Sequence, residues 1–222
     1  MIIIIRGHIR SSFNNNDLFN LINDIYKNNN DLEIYISTFS IFQNNVSWRK
    51  MPINNTVVTN QIIYNYFRDL SHLIKYILII DDTTINLIGT TKGPISKLCK
   101  SPILGWKRYW YCKYKIIEYI NSIYILKDTV VVNIRFDIFS NSNNLNKNEI
   151  IQRIETKKSS MFTKNYFIID TYRNGIDNFY IGTIALQYKL AYNFFYNLDI
   201  IIQKNEVVNQ ERLVFIENNL LV

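Results

Sequence analysis

Four short stretches hold the residues whose types and spacing could do chemistry. The first, Arg6-Gly7-His8-Ile9-Arg10-Ser11-Ser12-Phe13, directly follows the apolar run Ile2 to Ile5. In a nucleotide-binding α/β domain the first strand-to-helix turn faces the ligand. Glycine there lets the backbone come close, and Arg and Ser side chains hold phosphate or ribose. Gly7, His8, Arg10 and Ser12 are therefore candidate anion-binding residues, although the turn is neither GxGxxG nor a P-loop. A capped turn with solvated arginines explains the local pattern equally well. Two Arg and a Gly within five residues, in a chain with only 6 Gly, tilt the reading toward a site.

The second stretch is Arg135-Phe136-Asp137, at the end of the apolar run Thr129 to Ile134. Strand alternation puts Arg135 and Asp137 on one face. There the guanidinium grips phosphate oxygens, and the carboxylate ligates a divalent cation or accepts from a sugar hydroxyl. The plain alternative is an internal ion pair. The third stretch, Gly175-Ile176-Asp177-Asn178-Phe179-Tyr180-Ile181-Gly182, offers Asp177 as a general base toward an acceptor hydroxyl and Gly182 as backbone clearance on the acceptor side. A turn in which Asp177 only caps the next helix fits as well.

In the fourth stretch, Trp106 to Lys115, aromatics interleave with bases as on single-stranded nucleic-acid platforms. Its helical spacing puts Trp106, Trp110, Lys113 and Ile117 on one face, which argues for an amphipathic helix with a buried aromatic seam, from which Lys113 reaches a phosphate. Asp81 and Asp82 end another apolar run and are either cation ligands or turn openers. His72 reads as a helix residue near Arg68 and Asp69. No Ser-His-Asp, Cys-His or metalloprotease pattern is present.

The elements that must position these groups are legible as an alternation. Strand-like runs occupy Ile2 to Ile5, Glu33 to Ser37, Tyr76 to Ile80, Thr129 to Ile134, Tyr166 to Asp170 and Phe179 to Ile181. Between and after them, helical spacing covers Asp17 to Tyr26, Thr59 to Ile74, Trp106 to Ile123, Lys147 to Thr156 and Thr183 to Leu198. Several strands are apolar at consecutive positions, as parallel strands covered on both faces are. The expectation is one α/β domain over 1–222 with a mostly parallel central sheet flanked by helices. The segment Asp81 to Leu104, with Gly89, Gly93, Pro94 and Pro102, reads as a loop or small hairpin over the C-terminal edge of that sheet, where open α/β sheets bind ligands.

Composition bounds the class. With 48% hydrophobic and only 19% charged residues in 222, the chain carries too much apolar material to be disordered. Its Ile and Asn excess, against few Gly and Pro, reflects AT-rich codon usage more than fold. No apolar run approaches the ~20 residues of a membrane span, and the N-terminus lacks a signal-peptide pattern, so a cytoplasmic protein with no membrane span is expected. Cys99 and Cys112, with two histidines, do not make an ordinary structural zinc site. The net charge of +7 comes from one place: between Thr83 and Ile117 there is no acid, while Lys92, Lys97, Lys100, Lys107, Arg108, Lys113 and Lys115 are all basic. Such a segment suits a diphosphate, a polyanionic acceptor or a nucleic-acid backbone.

Taken in order, Arg-Gly-His-Ile-Arg-x-Ser-Phe after the opening strand, Gly-Trp-Lys-x-Tyr-Trp-Tyr, Asn-Ile-Arg-Phe-Asp and Gly-Ile-Asp-Asn-x-Tyr-Ile-Gly resemble the glycosyltransferase-like proteins of giant DNA viruses. The likeness runs from Ile2 to about Leu220. It implies a single Rossmann-like domain of the GT-A type, with a nucleotide-binding part over about 1–140 and an acceptor-side part over about 141–222. It also implies a UDP- or GDP-sugar donor and transfer of the sugar to a glycan hydroxyl, in viral glycan synthesis within an infected host cell. GT-A enzymes carry Asp-x-Asp where this chain has Arg135-Phe136-Asp137, so Mn or Mg held by Asp137 is an open expectation, with Arg135 as the alternative source of positive charge. On the same resemblance Gly7 and Arg10 carry over to the nucleotide turn, Arg135 to the diphosphate, Asp137 to the donor sugar or a cation, and Asp177 to the acceptor side as the base; the residue reading adds His8, Ser12 and Lys113 to the donor-binding set and Gly182 to the acceptor side. A nucleic-acid-binding protein using residues 106–115 and a catalytically inactive transferase fold are the alternatives. Donor sugar, acceptor, linkage, stereochemistry and oligomeric state are not legible.

Overall fold

A computed structural model describes residues 1–44, 52–139, 145–167, 178–205 and 209–221. Its centre is a six-stranded sheet built from β1 (Ile2–Arg6), β2 (Glu33–Phe39), β5 (Ile74–Ile80), β6 (Val130–Arg135), β7 (Tyr166–Phe167) and β8 (Phe179–Thr183), in the order β5-β2-β1-β6-β8-β7. β5, β2, β1 and β6 are mutually parallel, whereas β8 is antiparallel to both β6 and β7. The fold is mixed α/β with a mostly parallel sheet flanked by helices, as the alternation of apolar runs predicts.

Strand alternation divides the core in two. Ile3, Ile5, Ile34, Ile36, Val132, Ile134, Phe179 and Ile181 face α1 (Asp17–Lys27), α2 (Asn60–Phe67) and α4 (Lys147–Lys157). Ile2, Ile4, Tyr35, Val131 and Tyr180 face α3 (Ile103–Ile123), α5 (Ile184–Lys204) and α6 (Gln210–Leu220). β1 is buried at all five positions, which is why its sequence is an unbroken apolar run ending in one arginine. Each buried Ile contributes roughly 1.5–3 kcal/mol.

Several boundaries depart from the sequence reading. The helix expected from Thr59 to Ile74 stops at Phe67, because Arg68 takes a left-handed φ of 50° and Arg68–Leu73 continues as a 3₁₀ turn. His72 sits in that turn, near Arg68 and Asp69 as its spacing suggests, bonded to the Asp69 carbonyl and edge-on to Tyr26. α5 runs to Lys204 and α6 follows it. A two-stranded ribbon of β3 (Ile41–Gln43) and β4 (Asn54–Val57) stands beside the end of β2. Of the strand expected over Tyr166 to Asp170, only Tyr166–Phe167 falls among the described residues.

Candidate anion site at the sheet switch point

The chain leaves β1 in one direction, to β2 and then β5, and returns on the other side of β1 as β6. The two adjacent strand ends, with Arg6 in register with Arg135, therefore form a topological switch point. In an open α/β sheet a crevice opens there beyond the C-terminal strand ends, and ligands bind in it.

The backbone at this point is shaped for close approach. Gly7 takes a φ of +96° and donates its N–H to the Ser37 carbonyl at 3.0 Å; a Cβ placed on it meets nothing within 4 Å. Arg10 also has a positive φ, 55°, a conformation that costs a non-glycine residue about 1–2 kcal/mol. Its N–H is held by the Phe42 carbonyl at 2.9 Å. Across the junction the Phe136 N–H donates to the Arg6 carbonyl at 3.1 Å, and Phe136 and Ile138 bury on the α1/α2/α4 side. That turn, not continued strand alternation, brings Asp137 back toward Arg135.

The result is a convergence of two arginines on one carboxylate oxygen. Arg10 donates to Asp137 Oδ2 at 2.6 Å and Arg135 to the same oxygen at 2.8 Å, while Arg135 also donates to the Asn178 side-chain carbonyl at 2.6 Å. Asp137 is 3% exposed. Burial raises the cost of its charge, yet the Arg135 and Arg10 guanidiniums outweigh that and hold its carboxyl below the usual range. The internal ion pair that sequence reading kept as the plain alternative is thus formed, and a second arginine, 127 positions away in sequence, joins it.

The neighbouring groups extend this edge. His8 stacks on Phe39 with centroids 4.3 Å apart and donates from Nδ1 to the Ile41 carbonyl at 3.3 Å. Burial, with help from Arg10 and Arg108, lowers its pKa to about 4, so it is neutral at pH 7. Asp82 accepts from Arg108 at 2.9 Å and from Asn44. Asp81 accepts from the Thr83 N–H and hydroxyl, which makes it a turn opener.

Asp137 Oδ2 accepts from both guanidiniums, and among the described residues no group of three or more His, Cys, Asp or Glu comes together. The positive charge that the structure places at this edge is that of arginine, and Mn or Mg on Asp137 stays an expectation of the resemblance.

Other expected site residues lie elsewhere. Lys113 is 1% exposed, with its ammonium over the rings of Trp110 at 4.1 Å, Tyr180 at 4.6 Å and Tyr109 at 4.7 Å. It does not open onto solvent, because α3 turns its Trp106-Trp110-Lys113-Ile117 face onto the sheet. Arg6 shares this environment, with its guanidinium carbon 4.8 Å from the Tyr109 ring, and donates to Asn133, which donates in turn to Gln187 at 3.2 Å. The sequence marked Arg6 and Asn133 only as parts of motifs, and nothing in it pointed to Gln187. Ser12 is buried in a 3₁₀ turn, its hydroxyl without a hydrogen-bond partner among the described residues. Gly182 pairs with Val131 at the far end of β6, roughly 10 Å down β8 from Phe179. It is Gly because Asn165 packs on it, so it does not stand on the acceptor side of this edge. Asp177 lies outside the described residues.

The same burial counts against a nucleic-acid platform on residues 106–115. Trp106 and Trp110 are core residues, Trp110 stacking on Phe194 at 4.1 Å, so they present no face to a base. Lys107 pairs with Asp199 at 2.7 Å and Lys115 with Glu118 at 2.8 Å. No helix among the described residues is long and apolar enough to cross a membrane. No family model, curated protein or solved structure matches the chain.

Proposed function

We propose that the protein is a glycosyltransferase that moves a sugar from a nucleoside-diphosphate donor to a glycan hydroxyl. The observation that carries the reading is the meeting of Arg10 and Arg135 on Asp137 at the adjacent C-terminal ends of β1 and β6. Loss of a nucleoside diphosphate develops negative charge that must be stabilised by groups already in place. Two guanidiniums, oriented by one buried carboxylate, are suited to that task, and guanidinium geometry matches diphosphate oxygens. Gly7, with open space above its backbone, gives the diphosphate a close approach. One reversed strand beyond four parallel ones is compatible with the GT-A type. In this reading Arg10 and Arg135 are the protein's own source of positive charge at the leaving diphosphate.

The test is a thermal-shift and calorimetric screen of UDP, GDP and their sugars, with and without Mn²⁺. A stabilising nucleoside diphosphate is expected, its affinity falling about 10- to 100-fold in Arg135→Gln, as loss of a charge-assisted hydrogen bond predicts. Absence of a response to every nucleotide, with Mn²⁺ present or not, overturns the proposal.

A further inference from the structure

The acid-free segment after β5 is not absorbed by the Arg10-Arg135-Asp137 site. Its Gly93–Ile103 part is a built hairpin. Pro94 and Pro102 form a bridge, the Ile95 N–H donates to the Ser101 carbonyl at 2.9 Å, and the Ile103 N–H donates to the Gly93 carbonyl at 3.0 Å. Gly93 enters it with a φ of +89°. At the tip the Ser96 hydroxyl accepts from the Leu98 and Cys99 N–H groups at 3.2 and 2.9 Å. Ile95, Cys99 and Ile103 are buried against the α3/α5 side of the core, which fixes the hairpin to the body. Lys107 pins the preceding loop by reaching the Ile88 carbonyl and Asp199.

What this scaffold holds outward is one apolar side chain among cations. Leu98 is 55% exposed at the tip, with Lys97 and Lys100 beside it and Lys92 at the hairpin base, all three exposed and without an ion pair among the described residues. Ile88, also exposed, lies in the adjoining loop. A single exposed leucine is ordinary on a protein surface; what distinguishes Leu98 is its place on an anchored turn among cations. Three lysines around it, with no acid from Thr83 to Ile117, select a negatively charged partner. Between the polyanions available, residues 83–102 contain no aromatic side chain, so bases would find no stacking platform. An exposed leucine flanked by lysines matches a lipid interface, where the apolar group enters the acyl boundary and the ammonium groups remain at the headgroups.

We propose that the Gly93–Ile103 hairpin docks the protein on an anionic lipid surface, with Leu98 inserted and Lys92, Lys97 and Lys100 at the headgroups. The hairpin follows β5 and leads into α3, so docking turns the C-terminal edge of the sheet toward the bilayer. This goes beyond the sugar-transfer reading and does not depend on it.

The experiment is co-sedimentation of the full chain with vesicles of phosphatidylcholine alone and of equimolar phosphatidylcholine and phosphatidylserine, across ionic strength. Binding to the anionic vesicles alone is expected, weakening as salt rises. Lys97→Gln with Lys100→Gln lowers the partition coefficient about 30-fold, and Leu98→Ser about tenfold. Ile125→Ser, at a 92% exposed position just after α3 ends, serves as the control and leaves binding unchanged. Circular dichroism and the thermal midpoint confirm that each variant is folded, as exposed positions allow. Equal binding to neutral vesicles, wild-type binding by Leu98→Ser, or an equal loss in Ile125→Ser overturns the proposal. So does a single-stranded oligonucleotide that binds Leu98→Ser as tightly as wild type while vesicles bind neither.

Discussion

Replacing Asp137 by Asn tests whether the two arginines are held at the switch point by charge or merely lie beside it. The substitution keeps the shape and an acceptor oxygen but removes the negative charge that two guanidiniums share at 2.6 and 2.8 Å. Removing one partner of a fully buried pair costs about 3–5 kcal/mol. Here the arginine side chains are 24% and 22% exposed, so water recovers part of that, and the amide oxygen still accepts. The expected loss is about 2–3 kcal/mol at pH 7, or about 5–10 °C in Tm for a chain of this size. Urea denaturation of both proteins over pH 3–7 is the assay. The Asp137 carboxyl is held below its usual range by Arg135 and Arg10 against the opposing effect of burial. Its contribution is therefore complete above the unfolded-state value and is lost as pH falls through the lower, folded-state one. The gap between wild type and variant must narrow below about pH 4. A gap under about 0.5 kcal/mol at pH 7, the range of ordinary surface changes, or one that stays constant into acid, refutes the electrostatic account of this edge.

Two further outcomes follow from the same geometry. His8 has a folded-state pKa lowered from 6.5 to about 4 by burial, so the unfolded chain takes up a proton first and stability falls as pH drops from 6.5 toward 4, by up to about 3 kcal/mol. A ring-proton NMR titration should place its midpoint near 4, and His8→Gln should flatten that part of the stability profile; a midpoint above 6 contradicts the buried placement. Gly182→Ala should cost about 1–3 kcal/mol by overpacking, because the new Cβ overlaps the Asn165 side-chain oxygen and lies 3.5 Å from its Cα. Donor affinity, measured by calorimetry, should be unchanged, and a selective loss of nucleotide binding in that variant would return Gly182 to the site.

Composition, periodicity and scarcity carried the reading of the sequence a long way. Consecutive apolar positions in Ile2–Ile5 and Val130–Val132 are what central strands require, and both strands are buried on two faces, from Ile2 to Arg6 and from Val131 to Ile134. The unusual arginines and Gly7 marked the strand ends that the structure brings together. Spacing along α3 already said that Trp106, Trp110 and Lys113 share a face; which way that face turns was decided by the sheet. Local pattern failed where an interaction is non-local. Arg10 reaches Asp137 from 127 positions away, and Gly182 answers to Asn165 across β7 and β8.

The sequence by itself determined the class of the fold, the acid-free segment and the candidate edge, because burial and charge scarcity are properties of residue types in order. Tertiary structure alone decided that β6 returns beside β1 and not beyond β5, and with it that Arg10 reaches Asp137. It also decided that this carboxylate pairs with two guanidiniums and that Leu98 points out from an anchored turn. Pairing between positions 127 apart is set by which strands lie side by side, and strand order depends on how the helices cover both faces of the sheet, a choice no local stretch of residues encodes.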